Sequence, residues 1–365
     1  MKTGSMIELQ NRWYNCLTGQ LGLDPAMFQI SQPAAPMAAR DSAVWDHCDA
    51  IPPFSLTFHR LYHQVPRFSS QYAAVVNQTG GEADTLEGIM GREARREWSE
   101  FRSRQVPAPR SNQLPALFLN WAMMRYPAVA TAGASALARA VLETAAQPGM
   151  PRQFRGTYRE LCETLRTSGG ASLSFQAGAA PESVGGAWTG GAHSGVDGLW
   201  AGGEPDSRLS RIFADSGVAV EASFQGYAIW PSHPGPWYSE AALRAAFANP
   251  ASPPWPEAPQ PGWNTFFAPD GSMSRALASL VLVDGIEATI ACNAIFTPQE
   301  RAEVEINAAK GLWPFHAPAS GIVTNEVTFG GSGGMRIRTV TKPGSPTVIG
   351  NNVLSMARYL GLTDR

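Results

Sequence analysis

Apolar and polar positions in the first 168 residues follow the period of an α-helix. Over Met6–Leu21 apolar side chains recur every three or four residues, and Gly22 then supplies a natural helix stop. The same spacing predicts further helices at 43–48, from Thr57 onward, and at 69–77, 85–104, 114–125, 128–146 and 157–166. Breaks rich in glycine and proline separate several of these segments. The sequence therefore predicts a helix-rich region over residues 6–168.

The pattern changes at Gly169-Gly170, where alternation of apolar and small or polar residues begins. Segments 171–175 and 218–230 alternate as half-buried strands do. Helices are predicted to interrupt the strands at 239–248, 298–310 and 352–360, and the proline-rich stretch 249–261 should run over the surface. We therefore place a boundary at Gly169-Gly170, with a β-rich region over residues 169–365.

Two hairpins are predicted in this second region. Apolar runs at 280–283 and 286–290 flank Asp284-Gly285, a dipeptide that readily adopts the positive φ angles of a tight turn. A second pair, 323–329 and 335–341, flanks a Gly-Gly-Ser-Gly-Gly linker. Tight hairpins imply antiparallel pairing. The predicted fold class is α+β, with a helix-rich N-terminal half packed against a mainly antiparallel sheet that carries inserted helices.

Composition narrows the range of partners. The 365 residues include 28 Lys plus Arg against 30 Asp plus Glu, so no net positive field would attract nucleic acid. We find no signal-peptide pattern and no run of about 18 apolar residues that could span a bilayer. A soluble, cytoplasmic protein without a transmembrane anchor is expected. Phosphate-loop, dinucleotide-binding, kinase and EF-hand motifs are absent, which disfavours nucleotide chemistry.

One histidine pair has the spacing of metal ligands. His59 and His63 are four residues apart, so a helix would place both imidazoles on one face. Upstream, Asp46 and His47 precede Cys48 and could fold back toward the pair. The sequence thus suggests His59, His63, Asp46 and His47 as ligands of a divalent transition metal. The competing interpretation is a helix-capping aspartate, a surface histidine and a buried cysteine.

The second group of candidates lies in loops rich in glycine and tryptophan. In residues 184–203, here called the Gly/Trp loop, Gly-Ala-Trp-Thr-Gly at Trp188 is followed by Gly-Leu-Trp-Ala-Gly at Trp200. Glycine permits close approach of the backbone, and tryptophan offers a rigid apolar face. His193 in this loop is a candidate catalytic residue. With Ser194 and Asp197 it has the residue types of a serine triad, but neighbours in sequence seldom align as one.

A second aromatic cluster follows a predicted strand, where functional loops often lie. His233 in this cluster is another candidate catalytic residue. Five aromatic residues are candidate ligand-binding residues: Trp188 and Trp200 in the Gly/Trp loop, and Trp230, Trp237 and Tyr238 near His233. Trp313-Pro314-Phe315-His316 adds aromatic surface. These side chains could line a cavity for a small apolar molecule, or they could instead be packing residues of a glycine-rich sheet.

Three functional hypotheses follow. The preferred one is an enzyme, metal-assisted through His59 and His63, that acts on a small and largely apolar substrate in an aromatic-lined pocket. The second is a non-enzymatic protein that is membrane-active or self-assembling, in which Gly/Ser-rich hairpins such as 321–341, and the Gly/Trp loop, rearrange or pair between chains through β-edges. The third is a binding module for an apolar small molecule without turnover. No motif in the sequence decides between them.

Overall fold

The computed structural model describes residues 5–59, 66–81, 85–145, 151–177, 196–257, 259–331 and 333–363. Within these ranges the chain has an α+β fold, with twelve α-helices and one eight-stranded, mostly antiparallel sheet. The helices are α1 (Met6–Leu21), α2 (Asp41–Cys48), α3 (Phe68–Thr79), α4 (Leu86–Ser103), α5 (Leu114–Arg125), α6 (Pro127–Thr144), α7 (Tyr158–Thr167), α8 (Arg208–Ala214), α9 (Glu240–Ala248), α10 (Trp263–Phe267), α11 (Pro298–Asn307) and α12 (Met356–Tyr359). The strands are β1 (Phe28–Gln32), β2 (Thr57–His59), β3 (Ala171–Gln176), β4 (Ala219–Pro231), β5 (Arg275–Cys292), β6 (Val323–Phe329), β7 (Met335–Thr341) and β8 (Thr347–Ser355).

Local sequence signals explain where several helices begin and end. The Ser5 hydroxyl accepts a hydrogen bond from the backbone N–H of Glu8 at the start of α1, and Gly22 ends that helix in the left-handed conformation. Helix α7 begins with a reciprocal capping box between Thr157 and Glu160. Such caps satisfy backbone groups that the first and last turns leave unpaired. The helices predicted before residue 168 follow these signals closely, apart from the one near Thr57.

The sheet is organised around β5, its longest strand. The strand order is β2-β1-β8-β5-β4-β3, and a hairpin of β6 and β7 joins it at β5. Strand β4 pairs with β5 along nearly all of its length. On its other side β5 pairs first with β8 and then, beyond Gly285, with β7. The pairing of β1 with β2 is parallel, whereas the other pairings are antiparallel.

The predicted hairpin turn at Asp284-Gly285 is wrong. Both residues lie inside the continuous strand β5. Gly285 does adopt the positive φ of 61° that the dipeptide favours, but the strand continues through it at the point where its neighbour changes from β8 to β7. The Asp284 carboxylate accepts hydrogen bonds from the backbone N–H groups of Gly344 and Ser345, in the turn between β7 and β8. The same dipeptide therefore supports a bend and a neighbouring turn.

Three other predictions need correction, whereas the second hairpin is confirmed. The segment from Thr57 is not helical, because Thr57–His59 forms strand β2 beside β1. Residues 28–32, for which no strand was predicted, form strand β1. Residues 352–360 are mainly the end of β8, followed by only a short helix, because β8 is buried between β1 and β5 and does not alternate. The hairpin of β6 and β7 is confirmed.

Helices cover both faces of the sheet. One core lies between the sheet and α1, α8, α11 and the segment 312–317. A second core lies on the opposite face, beneath α2, α3, α6, α7, α9, α10 and α12. A third, smaller cluster joins α4, α5 and α6. Since β1 and β2 precede Gly169 and belong to the same sheet as the later strands, residues on both sides of the proposed boundary build it. The division into regions 6–168 and 169–365 remains a prediction.

Candidate functional site

His59 ends the edge strand β2 and lies directly opposite Gln32 of β1. Side chains at opposed positions of neighbouring strands point to the same face of the sheet. For His59 and Gln32 this is the face on which Phe28 and Ile30 of β1 enter the first core. The His59 side chain is only 5% exposed. The strand therefore holds an imidazole inside the protein, where its charge state depends on its neighbours.

The nearest acidic neighbour is Asp197, which the backbone of segment 196–203 holds in place. Within that segment the carbonyl of Leu199 accepts from the N–H of Trp313 over 2.9 Å, and the N–H of Ala201 donates to Gly311 over 3.0 Å. Asp197 Oδ2 lies 3.6 Å from His59 Nδ1, and its side chain is 20% exposed. This distance is longer than a hydrogen bond but within the range of an ion pair. Asp197 thus faces both the buried imidazole and solvent.

His316 is the third member of the group. It has a positive φ of 49°, a conformation that histidine adopts more readily than most residues. Gly311 packs against the His316 carbonyl so closely that a Cβ on Gly311 would lie 2.3 Å from its carbon. The His316 Nε2 lies 3.0 Å from the carbonyl oxygen of Gly198. Because a carbonyl can only accept, Nε2 carries the proton, and the neutral ring keeps a lone pair on Nδ1.

Burial sets the charge of this group, which we call the acid–base cluster: His59, Asp197 and His316. Burial lowers the pKa of His316 to about 4, although the Asp197 carboxylate and the hydrogen bond to Gly198 oppose the shift. Burial also lowers the pKa of His59, and Asp197 again opposes the shift. Both imidazoles are therefore neutral near pH 7. The neutral His59 ring can accept a proton and then be stabilised as a cation by the Asp197 carboxylate.

Two buried polar residues lie near His59 in the sheet: Gln32 opposite it in β1, and Thr57 in the same strand. The Gln32 side chain donates from Nε2 to the Pro314 carbonyl over 2.8 Å, which fixes the orientation of its amide. Gln32 Oε1, Thr57 Oγ1 and His316 Nδ1 are among the buried acceptor atoms without a hydrogen-bond partner in the described residues. Thr57 is two residues before His59 in β2, so both side chains point to the same face. Leaving buried polar groups unpaired is costly, and such groups often mark a functional site.

The proposed metal ligands are not assembled in the described residues. His63 lies outside them. Asp46 pairs with Arg67 Nη1 over 2.5 Å, while His47 donates from Nδ1 to the carbonyl of Ala43 within α2. No group of three or more His, Cys, Asp or Glu side chains in the described ranges is arranged to hold a metal ion. The helical spacing that suggested the pair does not apply, because His59 lies in a strand. The metal site remains a prediction.

The aromatic candidates have separate environments. Trp188 and His193 lie outside the described residues. Trp237 is 2% exposed and packs in the second core, and its Nε1 donates to the Gln153 carbonyl. The half-buried Trp230 covers Gly156, and the half-buried Trp200 pairs through its backbone with Leu312. His233 and Tyr238 do share a cavity, described below. Tyr238 packs against the second core, on the opposite face of the sheet from His59.

Sequence reasoning missed how the cluster is assembled. Asp197 entered only as a member of an improbable local triad, and His316 only as part of an aromatic turn. Their meeting with His59 brings together three segments that are more than 100 residues apart in sequence. The only local signal was the density of glycine around Asp197, which permits close approach of backbones. At Gly198, for example, an added Cβ would lie 2.5 Å from Ser210 Oγ.

Comparison with protein-family models, with curated proteins and with solved structures returned no match. No helix in the described part of the chain is both long and apolar enough to cross a membrane.

Proposed function

We propose that the protein is an enzyme that uses the acid–base cluster for general acid–base catalysis on a small substrate. The observation that carries this proposal is the approach of Asp197 Oδ2 to within 3.6 Å of His59 Nδ1, with His316 near enough for the charges of both groups to affect its pKa. A carboxylate on Nδ1 of an imidazole orients the ring and stabilises its protonated form. Catalytic contacts are often longer in the ligand-free protein than in the substrate complex.

In this proposal His59 is the general base. With its Nδ1 proton directed toward Asp197, its Nε2 takes a proton from a water molecule as the water oxygen attacks an electrophilic carbonyl carbon. The resulting imidazolium is stabilised by Asp197. It returns the proton to the leaving oxygen as the bond between that oxygen and the carbonyl carbon breaks. His316 stays neutral because of its burial, so it adds no positive charge that would disfavour protonation of His59.

The exposed fraction of Asp197 marks the side from which solvent and substrate would approach. The two imidazoles are almost fully buried, so the substrate must be small, or must present a small group to the cluster. The aromatic rings of Trp313 and Phe315, which lie within three residues of His316 in sequence, are also buried. Their proximity supports the expectation of a largely apolar substrate, since hydrophobic walls bind apolar groups and exclude water.

Hydrolysis of p-nitrophenyl acetate provides a direct test, because an activated small ester reports on a base-activated water. We expect saturable hydrolysis by the wild-type protein. General base catalysis contributes about 10²- to 10⁴-fold, so Asp197→Asn and His59→Gln should each reduce kcat/KM by at least about 100-fold. The rate should also fall as the pH is lowered through the pKa of His59.

Matched variants outside the cluster separate catalysis from loss of folding. Asp206→Asn and His233→Gln alter exposed residues outside the acid–base cluster and should keep wild-type rates. Circular dichroism would verify that the cluster variants are folded. The proposal fails if the wild-type protein hydrolyses the ester no faster than free imidazole at the same concentration. It also fails if folded Asp197→Asn retains the wild-type rate.

A further inference from the structure

Two adjoining cavities lie at the end of the sheet where β4 and β8 finish and β5 begins. The first has a volume of about 660 Å³ and is lined by the loop that follows β4, by Arg155 and by Tyr359. The second has a volume of about 610 Å³ and lies against α5 and α9. Asn112, Tyr238 and Glu240 line both cavities. The two spaces therefore form one groove with these three residues at their junction.

This groove is separate from the acid–base cluster. The residues at its base, Ala278 and Leu354, belong to the start of β5 and the end of β8. His59 lies beside Gln32, the last residue of β1. Because β1 and β8 are antiparallel, this end of β1 lies near the start of β8. The groove and the cluster are thus at opposite ends of the sheet. They also lie on opposite faces, because Tyr238 packs against the second core.

Charged groups in the groove lack ionic partners. Arg155 lines the first cavity together with the exposed His233, and Arg244 lines the second. Neither guanidinium forms a salt bridge with any carboxylate in the described ranges, although other arginines there do. Glu240, at the junction, also has no ionic partner within those ranges, even though Arg244 follows it by one helical turn in α9. The groove therefore presents opposite charges that do not neutralise each other.

A buried hydroxyl lies at the same junction. The Tyr238 Oη atom is inaccessible to solvent and has no hydrogen-bond partner among the described residues. Its ring packs against Tyr72 at a centroid distance of 5.0 Å. Tyr72 is already engaged, since its hydroxyl accepts a hydrogen bond from the backbone N–H of Ser239. The Tyr238 ring is therefore part of the packed wall behind the junction, and the exposed Glu240 supplies the accessible negative charge there.

We propose that the groove binds an amino acid or a short peptide in its zwitterionic form. The ammonium group would lie at the junction, against the Glu240 carboxylate. The carboxylate would lie in the first cavity, against Arg155 and His233. Guanidinium and carboxylate groups match in geometry, and charged hydrogen bonds are the stronger ones. Small apolar residues of the second cavity, such as Ala116, Ala241 and Ala245, suit a short aliphatic side chain.

Calorimetric titration with L-alanyl-L-alanine tests this proposal on the full-length protein. The two blocked forms are the critical comparisons, since N-acetylation removes the ammonium charge and C-amidation removes the carboxylate charge. We expect saturable binding of the free dipeptide at millimolar or lower concentration, and at least a tenfold weaker affinity for each blocked form. No binding of the free dipeptide, or equal affinity for the three compounds, would overturn the proposal.

Two variants assign the charges to named residues. Glu240→Gln should weaken binding of the free dipeptide about tenfold and leave the affinity for its N-acetyl form unchanged. Arg155→Gln should remove the preference for the free carboxylate over the amide. Glu303→Gln and Arg102→Gln are controls, because both residues are exposed and line neither cavity. If Glu240→Gln and Arg155→Gln bind like the wild type, the dipeptide is held elsewhere and the assignment is wrong. Asp197→Asn should leave binding intact, so this result is independent of the ester assay.

Discussion

The imidazole of His316 donates its Nε2 proton to the carbonyl oxygen of Gly198 over 3.0 Å. The ring is fully buried, and burial lowers its pKa to about 4. One carbonyl contact thus fixes the tautomer, and burial fixes the charge. His316 consequently links the glycine-rich segment that contains Asp197 to the turn that follows Trp313.

This contact predicts how stability depends on pH. In the unfolded chain a histidine binds a proton at about pH 6.5, whereas folded His316 resists protonation until about pH 4. Between these values the unfolded state binds more protons, so the free energy of unfolding falls as the pH is lowered through this window. The contribution of His316 is on the order of 3 kcal/mol, at about 1.4 kcal/mol for each pKa unit. Urea unfolding from pH 7 to pH 4 measures it.

The matched variant for this measurement is His316→Gln, which keeps an N–H donor for Gly198 but cannot titrate. Its unfolding free energy should depend less steeply on pH between 6.5 and 4 than that of the wild type. Equal slopes for His316→Gln and the wild type would contradict the assigned pKa.

A second prediction concerns Asp284. Its carboxylate accepts hydrogen bonds from the N–H groups of Gly344 and Ser345 over 2.9 and 2.8 Å. Hydrogen bonds to a charged group contribute about 1.5 to 3 kcal/mol, so Asp284→Ala should lower the free energy of unfolding by about 2 to 3 kcal/mol. Asp284→Asn should lose roughly half as much, because its amide has one acceptor oxygen. Chemical unfolding measures both variants, and Asp206→Asn is the exposed control. A loss under about 0.5 kcal/mol for Asp284→Ala would contradict this role.

Asp284-Gly285 also illustrates how far the sequence predicts the fold. The positive φ of Gly285 was correctly anticipated from the dipeptide. The continuation of β5 was not, because the change of neighbour from β8 to β7 depends on segments about 60 residues away. The helices before residue 168 depend on local periodicity and caps, and these were mostly predicted. Strands β1 and β2 are stabilised by sheet partners, so their short sequences gave little local signal.

The candidate site shows the same limit. His59 attracted attention through its distance from His63, a helical argument that does not hold in strand β2. The residue that does approach His59 is Asp197, 138 positions further along the chain. The histidines and the high glycine content of the sequence pointed to the segments that contain His59 and Asp197, but not to their contact. Only the register of β1 and β2 and the contacts of segment 196–203 bring His59 and Asp197 together.

Two glycines in helices test whether core packing or helix propensity determines the effect of a glycine-to-alanine substitution on stability. Alanine is favoured over glycine in a helix interior by about 1 kcal/mol. In α6, however, a Cβ on Gly133 would lie 2.2 Å from Cε1 of the buried Phe118. Overpacking a core costs about 1 to 3 kcal/mol, so Gly133→Ala should be destabilising by about 1 to 2 kcal/mol. In α1 no atom lies within 4 Å of the corresponding position on Gly19.

The control is therefore Gly19→Ala, which should raise the free energy of unfolding by about 0.5 to 1 kcal/mol. If α6 packs against α5 as described, thermal or urea unfolding should show a lower free energy of unfolding for Gly133→Ala and a higher one for Gly19→Ala. Stabilisation by Gly133→Ala would show that the Phe118 ring does not occupy the space beside Gly133. Phe118→Leu in the Gly133→Ala background should recover part of the loss.

The final prediction concerns the junction of β1 and β8. A Cβ on Gly350 would lie 2.1 Å from the Phe28 ring and 2.8 Å from the carbonyl oxygen of Gln29. Both strands are fixed by their ladders and Phe28 is fully buried, so neither can move aside easily. Gly350→Ala should lower the free energy of unfolding by about 2 to 4 kcal/mol. Phe28→Leu removes the ring atoms that clash but leaves the Gln29 carbonyl, so the double variant should recover only part of the loss.

A double-mutant cycle measured by urea unfolding should give a coupling energy between Gly350→Ala and Phe28→Leu of at least about 1 kcal/mol. Strict additivity would mean that Phe28 does not cover Gly350, and the register of β1 with β8 would then be wrong.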